Sequence, residues 1–105
     1  MSSSQRSAPL SEGALRSLIR AAIAKGYYRE SFHGEHDHPE RNLSIDDVLH
    51  GLQQTNWELA CPPDYDEDHK NWEYLIRTVD IDGDELHIKL AAYPEHKRFE
   101  IITRW

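Results

Sequence analysis

WEYLIRTVDIDGDELHIKLAAY, residues 72–93, decides the fold. In its second half Leu86, Ile88 and Leu90 alternate with His87 and Lys89, so an extended chain presents one apolar face and one polar face. Asp82-Gly83 divides the stretch into two strands, 72–81 and 84–93, because glycine accepts the positive φ of a tight hairpin turn. After a turn at 94–97 the segment RFEIITRW, residues 98–105, supplies a third strand. Working back toward the N-terminus, residues 57–61 read as a further strand ended by Pro62-Pro63, and 62–71 as an acidic loop.

Further back the period changes from two to that of a helix. Leu15, Leu18, Ile19, Ala22 and Ile23 share one stripe of a helix over 11–25, with Ser11 as its cap and Gly26 as its stop. Ile45, Val48, Leu49 and Leu52 mark a second helix over 44–53. Ser44 and Asp47 stand three residues apart at its head, where each side chain can satisfy the other's backbone N–H. Residues 27–32 are short and aromatic, either a first strand or an extended connector, and 33–42 is polar and crowded with charge. The expectation is an α+β domain, with two N-terminal helices packed on one face of a three- to four-stranded antiparallel sheet. Residues 1–10 read as a disordered tail, and 11–105 as a single domain.

Composition narrows the function classes. The one cysteine, Cys61, permits no intramolecular disulfide, fits a reducing cytoplasm and reads as structural. No run approaches the ~20 apolar residues of a membrane span, and the first residues lack a signal-peptide core. The expected location is cytoplasmic. The formal charge is −7, which excludes a uniformly basic nucleic-acid-binding surface. Acidic residues concentrate at 64–68 and at Asp80, Asp82, Asp84 and Glu85; Lys89, Lys97, Arg98 and Arg104 leave room for a local basic face.

Three groups of residues invite chemistry. His33, His36 and His38 suggest a metal, but no cysteine partner or zinc-site spacing accompanies them, and solvated loop histidines are the simpler reading. Asp80, Asp82 and Asp84 lack the ligand series of a calcium loop and read as a charged hairpin turn. The third group is His33, Arg41, His87 and Thr103 as catalytic candidates, with Lys89 and Arg104 for phosphate. Cleaving a phosphodiester by its 2′-hydroxyl requires proton transfer, which histidine performs near neutral pH, and cations to hold the charged phosphorane. The alternative is that His87 and Lys89 are ordinary solvent-face residues of a half-exposed sheet. Of the aromatic residues, most belong in a core, while Tyr93 and Trp72 at strand ends are open to base stacking.

SFHGEHDHPERNLSIDDVLHGL, residues 31–52, resembles a family of small bacterial domains with the signature H-A-x-x-R-x-x-x-R-G-[IL]-[ST]-x-x-D-V. His33 stands at its histidine, Arg41 at its second arginine, Leu43-Ser44 at the [IL]-[ST] pair and Asp47-Val48 at the D-V. Leu86-His87-Ile88 looks like that family's l-H-v strand, and Ile101-Ile102-Thr103 like its C-terminal tail. Asp37 replaces the first arginine, and Gly34 and Asn42 replace the alanine and glycine.

The resemblance, which spans residues 27–105, implies a fold similar to the RelE, BrnT and MqsR toxins of type II toxin–antitoxin systems. It implies a metal-independent mRNA endoribonuclease without an organic cofactor. The implied partners are mRNA and a small antitoxin protein of zinc-finger or helix-turn-helix type. A non-catalytic protein-binding module on the same fold is the alternative, favoured by Asp37 and the acidic charge.

Overall fold

The computed structural model describes residues 8–30 and 44–105. Helix α1, Glu12–Lys25, begins where Ser11 accepts the Ala14 N–H at 3.1 Å and ends at Gly26, whose φ of 74° suits glycine. Helix α2, Ile45–Leu52, begins with the expected capping box. Ser44 Oγ accepts the Asp47 N–H at 3.3 Å, and Asp47 Oδ2 accepts the Ser44 N–H at 3.2 Å. Asp47 Oδ1 also takes the Ile81 N–H at 3.2 Å, which ties the start of α2 to the tip of the hairpin.

The strands are β1 (Tyr28–Glu30), β2 (Glu58–Leu59), β3 (Asp64–Asp66), β4 (Asn71–Val79), β5 (Glu85–Tyr93) and β6 (Arg98–Arg104). They form one six-stranded mixed sheet in the order β1-β6-β5-β4-β2, with β3 also paired to β4. The hairpin of 72–93 and its third strand are present as expected, with β5 antiparallel to both β4 and β6. Gly83 at φ 86° lets the chain return, and Asp80 Oδ1 accepts the Asp84 N–H at 2.9 Å across the loop.

The sheet is wider than the three or four antiparallel strands expected, for two local reasons. Residues 28–30 pair with β6 in parallel, so the first alternative for the aromatic segment, a strand, holds over those residues. Part of the acidic loop is also a strand. Tyr65 turns inward to meet Trp72 edge-on at 5.1 Å, while Asp64 and Asp66 point the other way, and that alternation lets an acidic segment pair. Strands β2 and β3 follow one another along a single edge of β4. Leu59 faces Ile76 and Asp64 faces Glu73, so the edge strand uses more residues than β4 between these pairs. Pro62-Pro63 occupies this bulge, where prolines can sit without breaking a central ladder.

Leu15, Ile19 and Ala22 of α1, Val48 and Leu52 of α2, and the alternating residues Tyr74, Ile76, Leu86, Ile88, Leu90, Ala92, Phe99 and Ile101 form one buried cluster with Trp57. Trp57 is 1% exposed; its indole N–H bonds the Leu52 carbonyl at 3.2 Å, and the Arg16 guanidinium lies 4.0 Å from its ring centroid. Among the described residues no helix is long and apolar enough to cross a membrane.

Candidate functional site

Strand pairing places residues that face each other across a ladder on the same side of the sheet. The side away from the core therefore carries, in successive rows, Glu58, Arg77 and His87; Leu75, Lys89 and Thr103; Glu73, Ala91 and Glu100; and finally Tyr93 with Arg98. This polar face brings together His87, Lys89 and Thr103 of the candidates read from the sequence. Arg104 does not join them. The β5–β6 register shifts between Lys89 and Leu90, with Ile102 as the extra residue, so Arg104 pairs with Ile88 of the core face. There Arg104 meets the Glu30 carboxylate. His33 and Arg41, with the histidines at 36 and 38 and Asp37, lie outside the described residues.

Each described candidate is already engaged or enclosed. The His87 ring stacks on Trp105 with centroids 5.4 Å apart, and its Nε2 is 3.4 Å from Glu85. Lys89 Nζ is 3.4 Å from Glu73. The Thr103 hydroxyl is buried and has no hydrogen-bond partner. A small hollow of about 160 Å³ beside Lys89 and Trp105 is closed on the far side by Cys61 and Pro62 of the edge bulge. Cys61 is exposed there, in contrast to the structural role read from the sequence, because the bulge turns it away from the core.

A second hollow, of about 230 Å³, opens on the same face further along the strands. Asp66, Asn71, Glu73, Tyr93 and Glu100 line it, with His69 at the rim. Glu73 and Glu100 are mostly enclosed, their side chains 17% and 21% exposed. Their cationic neighbours stand at 3.4 Å (Lys89) and 3.6 Å (Arg29), longer than a tight charge-assisted bond of about 2.7–2.9 Å. Tyr93 donates a long bond of 3.4 Å to Glu100. Burial, followed by the Glu100 charge, pushes the Tyr93 phenol above its ordinary value and outweighs the opposing influence of the nearby Asn71 amide, so it remains a donor.

At the rim, Asp66 and His69 meet at 2.6 Å. That hydrogen bond is the largest cause both of a lowered Asp66 carboxyl pKa and of a raised His69 pKa. Beyond Tyr93, a third hollow of about 350 Å³ is lined by Tyr27, Tyr28, Arg29, His96 and Arg98. The Arg98 guanidinium stands 4.9 Å from the Tyr93 ring centroid. Tyr93, left open by the sequence, lines the second and third of these hollows, whereas Trp72 packs against the core.

Sequence reasoning missed Asn71, Glu73 and Glu100. The β4–β5–β6 pairing sets Glu73 and Glu100 in one row, β3 against β4 adds Asp66 beside Asn71, and the acidic run at 64–68 was the sole signal available. No protein-family model matches the chain, and neither the curated proteins nor the solved structures include a match.

Proposed function

We propose that this chain is the toxin-like member of a two-protein pair and that its open sheet face binds a protein partner without catalysing a reaction. The carrying observation is that cations on this face stand against carboxylates: Arg77 against Glu58, Lys89 against Glu73, Arg29 against Glu100, and His87 beside Glu85. A phosphate backbone would have to displace a carboxylate at each of these positions and approach a chain of net charge −7. A protein surface carrying both signs of charge meets no such barrier. The resemblance of residues 33–48 to toxin domains supports the paired arrangement, and the helices beside a β4–β5–β6 meander support a RelE-like architecture.

The endoribonuclease is the second reading. It is favoured by the register that places His87, Lys89 and Thr103 on one face, with His87 able to exchange protons and Lys89 to hold phosphate. Induced expression in a bacterial host, with primer extension on bulk mRNA, separates the two. Normal growth and intact RNA are expected, together with retention of the protein encoded beside this chain in a pull-down. New 5′ ends that His33→Ala/Arg41→Ala abolishes would establish the nuclease and overturn the binding reading.

A further inference from the structure

We infer that the third hollow, beside β1 at the turn from β5 to β6, binds a small-molecule monocarboxylate borne on a flat aromatic group. The inference stands apart from the protein-binding reading and does not depend on it. Its starting point is Arg98. Arg16, Arg29, Arg77 and Arg104 each stand against a carboxylate, and Arg20 is exposed on α1. Arg98 is half-buried, yet among the described residues it forms no ion pair. Its Nε is enclosed without a hydrogen-bond partner, while its two terminal nitrogens are not enclosed in that way and remain open to an acceptor. The guanidinium is held over the Tyr93 ring, 4.9 Å from its centroid, and Arg98 lines the hollow. A partly desolvated charge without a counter-ion is costly, so an anion placed here gains what the other arginines already have. The second observation is aromatic. Tyr27, also in the lining, is 51% exposed and meets no other ring among the described residues, which leaves its face free for a ligand.

The chemistry of the occupant follows from what the wall offers. A guanidinium fork matches the planar, two-oxygen edge of a carboxylate, and it matches a phosphate as well. Charge decides between them. Glu100 lines the same hollow, held by Arg29 at 3.6 Å and by the Tyr93 hydroxyl at 3.4 Å. Glu95 lines an adjoining hollow of about 300 Å³, which shares Tyr93, His96 and Arg98 with the first. A phosphate dianion meets about twice the repulsion from these carboxylates that a monoanion meets, on a chain whose net charge is already −7. The monoanion is therefore favoured. At about 350 Å³ the hollow falls within the ~300–1,000 Å³ of common small-molecule sites and exceeds what a carboxylate alone would fill. Tyrosine rings wall the remaining space, with Tyr28 stacked on Phe99 behind it, so a flat ring next to the carboxylate completes the fit.

The test is an NMR titration of the full chain with phenylacetate, beside its uncharged isostere phenylacetamide, ring-free acetate, and phenyl phosphate. Phenylacetate should shift the amides of Tyr28, Arg29, Arg98 and Phe99 along a saturating curve. Phenylacetamide and acetate should each bind about tenfold or more weakly. Arg98→Gln should weaken phenylacetate by about tenfold, and Tyr27→Ser, at an exposed position, by about threefold. Arg20→Gln, which removes an exposed charge on α1, should leave the curve unchanged. Circular dichroism confirms that each variant is folded. No saturating shift, equal response to acid and amide, or a folded Arg98→Gln variant that binds as before overturns the inference. Acetate binding as tightly as phenylacetate overturns the aromatic part of the assignment. Phenyl phosphate binding more tightly than phenylacetate gives the hollow to a dianion and overturns the carboxylate.

Discussion

Asn71 and His69, at one end of the sheet, act on stability with opposite signs. The Asn71 amide is buried and unpartnered, and such a group costs about 1–3 kcal/mol relative to a satisfied one. Asn71→Leu removes both orphaned atoms at similar volume, so it should raise stability by about 1 kcal/mol in urea unfolding. His69 carries a different prediction. Its pKa is raised mainly by the hydrogen bond to Asp66, so the folded state favours the protonated ring. The stabilisation is therefore complete below the ordinary histidine pKa of about 6.5 and is lost as pH climbs through the raised folded value. The Asp66 carboxyl, lowered by the same bond, loses its share as pH falls below its ordinary value of 3.8. An NMR titration should show His69 titrating above the ordinary value in the native chain and returning toward it in Asp66→Asn.

At the scale of elements, the contact of α2 with the hairpin has no slack. A β-carbon at Gly51 would lie 2.6 Å from Thr78 Cγ2 and 3.0 Å from the Val79 carbonyl oxygen. The Thr78 hydroxyl reaches the Gly51 carbonyl at 2.8 Å, which draws helix and strand together. Gly51→Ala should destabilise the fold by about 1–3 kcal/mol despite alanine's better helix propensity, because overpacking outweighs the gain of ~1 kcal/mol. Thermal unfolding of that variant checks it, and Gly13→Ala serves as the control, since a β-carbon there meets nothing within 4 Å. The same helix is fastened at its other end by Asp47. Burial raises the Asp47 pKa, but bonds from Ile81 and Ser44 outweigh it and leave it lowered. Capping should therefore weaken as pH falls below 3.8 toward the lowered value.

For the whole molecule, the pairing of β1 with β6 joins residues from opposite ends of the sequence. Tyr28 and Phe99 stack across it with centroids 5.7 Å apart, and Phe99 is 1% exposed. Phe99→Ala removes both a core side chain and the stack that holds β1, so a loss of about 3–5 kcal/mol is expected. Denaturant unfolding measures that loss, and hydrogen exchange should show β1 amides losing protection first.

What the sequence determined by itself was whatever depends on near neighbours. The period-two alternation of 84–93 and the glycine at 83 specify the hairpin. The stripe at Leu15, Ile19 and Ala22 specifies α1, and Ser44 with Asp47 specifies the cap of α2. Each depends on residues within a few positions of one another, where backbone sterics and local hydrogen bonds decide the outcome. Tertiary structure alone decided that an acidic segment becomes β3, because Tyr65 finds Trp72 only after β4 is formed. It also decided which candidate side chains meet. Consecutive strand residues Thr103 and Arg104 point to opposite faces, and the extra residue at Ile102 puts Thr103 rather than Arg104 on the face of Lys89, a one-residue shift of register that leaves no mark in composition. The hollow around Asn71 has the same origin, since its walls come from four strands whose adjacency no local pattern encodes.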